Sequence, residues 1–98
     1  MVKIYISDMF VFDMSLMMFY GTECVHCHEM MPMVEKMEKE LKVKVEQIET
    51  WHNASNAKKL QELDKGRCGG VPFFYNDKTG KFICGSASYD ELKAWAKG

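Results

Sequence analysis

Residues 14–20, Met-Ser-Leu-Met-Met-Phe-Tyr, form an unbroken apolar run closed by Gly21. A run this short, with no polar alternation, predicts a strand covered on both faces and therefore central in a sheet. Over 29–41 the pattern changes: Met30, Val34, Met37 and Leu41 recur at helical spacing, while Glu35 with Lys39 and Lys36 with Glu40 form charge pairs on the opposite side. A helix is expected to follow the first strand directly. Residues 43–49, Val-Lys-Val-Glu-Gln-Ile-Glu, read as a second strand, and the polar stretch 51–56 supplies Asn and Ser caps for a helix over about 55–65, ending near Gly66.

After a turn at 67–70, Val-Pro-Phe-Phe-Tyr (71–75) and Lys-Phe-Ile-Cys (81–84) flank Asn-Asp-Lys-Thr-Gly, which predicts a hairpin with Tyr75 facing Lys81 and Pro72 facing Cys84. Ser88-Tyr89-Asp90-Glu91 has the form of a capping box and opens a last helix carrying Leu92 and Trp95. The order is β-α-β-α-β-β-α, with residues 2–6 as a further edge strand. Strand–helix alternation in the first half implies a parallel crossover and the hairpin adds antiparallel strands, so the fold class is α/β, a mixed central sheet with helices on both faces.

Ninety-eight residues without repeat, low-complexity tract or linker make one domain spanning 1–98. With 47% hydrophobic and 12% aromatic residues and two prolines, the chain has the means to bury a core, which excludes disorder as its main state. Thirteen Lys and Arg against 14 Asp and Glu leave no basic field for a polyphosphate, so nucleic acid is not an expected partner. No run approaches the ~20 apolar residues of a membrane span. The first residues carry one lysine, break their apolar run at Asp8 and Asp13 and lack a small-residue cleavage site, so no signal peptide is expected and the cytoplasm is the expected setting. The expected state is a monomer.

Four cysteines are too few for a disulfide-dense scaffold, and two of them are close together in Cys24-Val25-His26-Cys27. The motif lies between a buried strand and a helix start, where unpaired N–H groups and the helix dipole favour an anion, so a thiolate at Cys24 is stabilised. Cys27 lies about one turn further on the same face, within reach to attack a mixed disulfide formed at Cys24. His26 between them can offer a hydrogen bond or a positive charge to the Cys24 thiolate, stabilising the reduced form and raising the reduction potential.

Phe19-Tyr-Gly-Thr-Glu-Cys-Val-His-Cys-His-Glu-Met-Met-Pro32 resembles the active-site segment of the thioredoxin superfamily: apolar strand, loop, C-x-x-C, helix, and a proline five residues after the second cysteine. Gly70-Val71-Pro72-Phe73 is similar to that family's cis-proline loop, and Gly80-Lys-Phe-Ile-Cys-Gly85 to its last hairpin strand; the likeness covers about residues 14–97. It implies a thioredoxin-like fold with a shortened N-terminus and a thiol–disulfide oxidoreductase, with Cys24 as nucleophile and Cys27 as resolving cysteine. It further implies that Val71 pairs its backbone with an extended substrate while Pro72 packs against the dithiol. The implied partners are disulfide-containing or dithiol proteins, with glutathione or a reductase as electron donor, and no cofactor.

Departures from the family pattern are specific. Glu23 stands where thioredoxins usually have tryptophan. Met18 stands where they carry a buried aspartate that helps deprotonate the resolving cysteine, which implies slower release of the mixed disulfide or another base. A histidine before the second cysteine is the choice of protein disulfide isomerases and periplasmic thiol oxidases, whereas the Gly-Lys-Phe-Ile-Cys-Gly-Ser ending resembles glutaredoxins.

A function of another class remains open: a copper- or zinc-binding module on the same fold, using Cys24, Cys27 and a nearby His or Met. Zinc wants a second ligand pair, and Cys68 and Cys84 are too far apart in sequence to be one, so no metal site is assigned. Cys24 to His28 also satisfies the C-x-x-C-H haem pattern, set aside because Pro32 and Val71-Pro72 fit the other resemblance. The methionines are expected to fill the core, and His28 and His52 to be surface residues. On an ideal ladder Cys68 lies roughly 13 Å from Cys84, so two free thiols are expected: Cys84 a buried packing residue, Cys68 a candidate regulatory or glutathionylation site.

Overall fold

Strand β1 (Leu16–Tyr20) takes the apolar run, and its pleat sends Leu16 and Met18 to one face and Met17 and Phe19 to the other. The computed structural model describes residues 15–98, so the expected edge strand at 2–6 and the start of the run at Met14 lie outside the described residues. Helix α1 (Val25–Leu41) crosses back to strand β2 (Glu46–Glu49), which pairs parallel to β1 with Met18 opposite Gln47. Helix α2 (Ala54–Asp64) leads to strand β3 (Phe73–Asn76), antiparallel to β1 on its other side, and to strand β4 (Phe82–Cys84), antiparallel to β3. Helix α3 (Tyr89–Lys97) ends the chain, and the sheet order is β2-β1-β3-β4.

Each sheet face buries its own cluster. Met30, Val34 and Met37 of α1 with Leu92 and Trp95 of α3 cover Leu16, Met18 and Phe74; Leu60 and Leu63 of α2 pack on Met17, Phe19, Ile48 and Phe73. The expected mixed sheet with helices on both faces is the observed one. Glu40 pins α3 to α1 by accepting from the Tyr89 hydroxyl at 2.7 Å and from Lys93 Nζ at 2.6 Å. The capping box is present: Ser88 Oγ accepts from the Glu91 N–H at 3.2 Å and Glu91 Oε1 from the Ser88 N–H at 2.8 Å.

Helix α1 begins four residues before the expected start, because Cys24 caps it. Strand β2 begins three residues late: Lys42 turns left-handed (φ 57°), and Glu38 takes both the Val43 N–H through its carbonyl and the Val45 N–H through its side chain. The hairpin is one residue out of the expected register, with Phe73 rather than Pro72 opposite Cys84 and Tyr75 opposite Phe82. Asn76 is the cause. Its buried side chain donates to the Trp95 carbonyl and accepts from the Lys78 N–H, so it stays in the strand and shortens the loop.

Two expectations about cysteines are corrected. Cys68 and Cys84 are joined in a disulfide with their Cα atoms 5.3 Å apart, and Cys84 is exposed rather than buried. The ladder estimate assumed that residues 68–72 continue the strand. They fold back instead, through a left-handed Gly69 (φ 79°) and the Asp64 carboxylate, which accepts from the N–H groups of Cys68 at 2.7 Å and Gly69 at 2.8 Å. Closing a loop across a sequence separation of 16 limits the unfolded chain, an effect worth about 3 kcal/mol. A Cys68→Ser/Cys84→Ser variant is expected to stay folded with its urea midpoint lowered by about 1–3 M and a slope at least as steep as the parent's, since the unfolded chain is no longer cross-linked; a midpoint equal to that of the oxidised parent would contradict this.

Candidate active site

The end of β1 leads into a turn that only glycine fits. A Cβ on Gly21 would run into the Trp51 indole, and the Gly21 carbonyl accepts from the Cys24 N–H at 3.0 Å. Cys24 is thereby delivered in an extended conformation (φ -80°, ψ 111°) to the N-cap of α1, where its Sγ accepts from the Cys27 N–H at 3.2 Å. A sulfur so placed meets the exposed donors at the positive end of the helix, and as a thiolate it accepts far more strongly than as a thiol.

The two cysteines differ in exposure and chemistry. Cys24 retains 7% of its surface and Cys27 none. Burial, with a hydrogen bond to the Cys24 side chain, pushes the Cys27 thiol up to about 12, so it stays protonated near neutrality. Met18, where the family resemblance would place an aspartate, is fully buried in the same cluster and offers no base. Pro32 lies inside α1 and has no N–H for the carbonyl one turn back.

Glu49, at the end of β2, holds the loop before Cys24. Its Oε2 accepts from the Thr22 N–H and Oγ1, both at 3.0 Å, and from the Trp51 N–H at 3.2 Å; its Oε1 accepts from the His52 N–H at 2.8 Å. Burial raises its carboxyl, but these donors outweigh burial and hold it below the usual carboxylate range. His28 donates from Nε2 to the Thr22 carbonyl, an acceptor that fixes where the ring carries its hydrogen. His52 Nε2 lies 2.7 and 2.8 Å from the two oxygens of Glu23, whose hydrogen bond and charge raise the His52 pKa above 6.5. His26 is exposed on the first turn, its Nδ1 3.2 Å from Glu29 Oε1, so its ring partner is that carboxylate and not the Cys24 sulfur.

The Val71-Pro72 peptide bond is cis. Val71 packs against both core clusters, including the one holding Cys24 and Cys27, and Pro72 is fully buried. Among the described residues neither the N–H nor the carbonyl of Val71 has a hydrogen-bond partner, whereas the Pro72 carbonyl accepts from the Gly85 N–H at 2.8 Å. Beside Val71 lies a groove of about 330 Å³ whose lining includes Thr50, Trp51, Leu60, Asp64, Gly69 and Gly70. Trp51 is 53% exposed and Val25, next to Cys24, 66% exposed.

The structure thus places Cys24 and Cys27 in one core cluster with Val71 packed against that cluster, and gives the His26 ring Glu29 rather than a cysteine as its partner. Among the described residues no group of three or more His, Cys, Asp and Glu side chains gathers for a metal ion, and the methionines are divided between the two core faces. None of the described helices is long and apolar enough to cross a membrane. Sequence reasoning missed the Glu49 hub and the Asp64 clamp. Thr22 lies 27 residues from Glu49, so no local pattern marks the hub, while Asp64 followed by Gly66 and Gly69 carried a turn signal that was available.

The thioredoxin family model matches residues 8–97. No curated protein sequence matches the chain.

The Glu23 pair makes a testable electrostatic claim. The folded His52 titrates above its unfolded value, so the pair contributes fully below the unfolded value and is lost as pH rises through the folded one. An NMR pH titration is expected to place His52 above 6.5 in the parent and closer to 6.5 in Glu23→Gln; identical midpoints in the two proteins would show that Glu23 does not hold the ring.

Proposed function

We propose, since the chain belongs to the thioredoxin family, that it is a protein thiol–disulfide oxidoreductase in which Cys24 attacks and Cys27 resolves. The observation that carries this reading is the Cys24 sulfur at the N-cap of α1, accepting the Cys27 N–H at 3.2 Å. A thiolate there gains a charge-assisted hydrogen bond and the favourable end of the helix dipole, while the buried Cys27 waits as a thiol.

The reaction follows from that asymmetry. The Cys24 thiolate attacks one sulfur of a substrate disulfide; the Cys24–substrate bond forms, the substrate disulfide breaks, and the departing substrate thiolate takes a proton. Cys27 then gives up its proton and attacks Cys24, forming the Cys24–Cys27 disulfide and releasing the second substrate thiolate. The protein loses two electrons and the substrate gains them. Because Cys27 begins deeply protonated and Met18 offers no carboxylate, this second step is the slower one.

Substrate recognition falls to Val71. Its unpaired N–H and carbonyl suit an extended chain laid along the loop, and the exposed Trp51, in the groove lining, and Val25, next to Cys24 in sequence, offer apolar surface. His26, whose ring is held by Glu29, acts on the site through its charge when protonated rather than by a bond to sulfur.

The test uses insulin as a disulfide substrate. Cys27→Ser is expected to accumulate a covalent adduct to an insulin chain that dithiothreitol releases, and Cys24→Ser to give less than about a tenth as much, because only the first cysteine is placed to attack. Equal trapping by the two variants, or greater trapping by Cys24→Ser, would overturn the assignment.

A further inference from the structure

A loop that lines the groove is held by a second pair of sulfurs. Residues 65–70 place Gly69 and Gly70 against the groove and run straight into Val71, and Cys68 in their midst is bonded to Cys84 at the end of β4. We propose that Cys68–Cys84 is a second exchangeable disulfide, opened by a dithiol in the folded protein, and that its state sets how well the groove beside Val71 accepts an extended substrate. The second half rests on the docking role given to Val71 above.

Three observations support this. First, the bond is reachable. Cys84 is exposed, and among the described residues β4 is an edge strand of the sheet, so a thiolate can approach it from outside. Second, a fixed positive charge adjoins the bond. The Arg67 guanidinium, next to Cys68 in sequence, donates to the Asp64 and Leu63 carbonyls, both at 3.0 Å, and lies 3.9 Å over the ring of Phe82, which shares a face of β4 with Cys84. The nearby Asp64 carboxylate opposes this, but it is engaged by the N–H groups of Cys68 and Gly69.

Third, opening the bond does not release the elements it joins. Asp64 still clamps the loop, the Gly85 N–H still bonds the Pro72 carbonyl, and Cys84 still pairs with Phe73. What changes is the freedom of a segment with glycine at 66, 69 and 70, two of them at positive φ. A cross-link that only stapled the fold would not need a second anchor on the same loop. Here the anchor keeps the loop in place while the disulfide sets its rigidity, and a looser wall binds an extended chain less tightly.

The exchange balances. A dithiol, as thiolate, attacks Cys84; the Cys84–dithiol bond forms, the Cys68–Cys84 bond breaks, and the Cys68 thiolate takes a proton. The second thiol of the reagent then closes its own disulfide and releases Cys84, which also takes a proton. The protein gains two electrons and two protons and the dithiol loses them.

Two measurements on the full chain test the proposal. In graded mixtures of reduced and oxidised dithiothreitol, quenched with acid, alkylated and mapped by mass spectrometry, Cys68–Cys84 is expected to open and reclose with far-ultraviolet circular dichroism unchanged. A bond that opens only when denaturant is added overturns the proposal. The second compares Cys27→Ser with Cys27→Ser/Cys68→Ser/Cys84→Ser, both having Cys24 as their one free thiol, in capturing an extended peptide that bears an activated pyridyl disulfide. Opening the second bond is expected to raise the half-saturating peptide concentration about 5-fold while leaving the limiting rate and the rate with iodoacetamide unchanged. Equal half-saturation overturns the link to docking. Capture by neither protein would count against the function assigned to Cys24, while the dithiothreitol titration still decides whether the second disulfide exchanges.

Discussion

The hydrogen bond from the Cys27 amide to the Cys24 sulfur is what the rest of the site is arranged around. It requires the chain to leave β1, turn at Gly21 and enter α1 with Cys24 at the N-cap, so that one sulfur meets the unpaired helix donors and the next is carried a turn deeper into the core. Two residues of the same type thereby acquire opposite habits. One sulfur sits at the N-cap facing an N–H donor and the positive end of the helix; the other is held as a thiol by burial. Neither habit belongs to cysteine as such.

Holding that geometry takes carboxylates from outside the motif. Glu49 gathers the N–H groups of Thr22, Trp51 and His52, fixing the loop before Cys24 to the loop after β2. Asp64 does the same for the loop before Val71 through Cys68 and Gly69. Glu23 and Glu29, the acidic side chains flanking the two cysteines, each have a histidine ring nitrogen within hydrogen-bond distance, His52 and His26 respectively. The core beneath is ordinary by comparison, with methionine, leucine and phenylalanine closing both faces of a four-stranded sheet.

Much of this was legible in the chain. The unbroken run ending at Tyr20 fixed a central strand, the spacing of Met30, Val34 and Met37 a helix, and Ser88 with Glu91 a cap, because each is a local pattern with a local cause. The dithiol was legible for the same reason. What escaped the reading is non-local. The start of β2 depends on Glu38 reaching forward to Val45, the hairpin register on Asn76 finding the Trp95 carbonyl, and the Cys68–Cys84 bond on a reversal driven by Asp64 and Gly69. Extrapolating an ideal strand through a glycine-rich loop gave the wrong distance, since such a loop exists to change direction.

The central claim is that the two neighbouring sulfurs are made unequal by position, and timed alkylation with iodoacetamide at pH 7, each site followed by mass spectrometry, tests it most directly. Burial pushes the Cys27 thiol up, which cuts its thiolate by more than the greater nucleophilicity of a more basic thiolate returns, and its sulfur has no exposed surface, so Cys27 should react more slowly than an ordinary cysteine peptide. Cys24 should react faster than that peptide. Equal rates at the two sites, or modification of Cys27 first, would contradict the account.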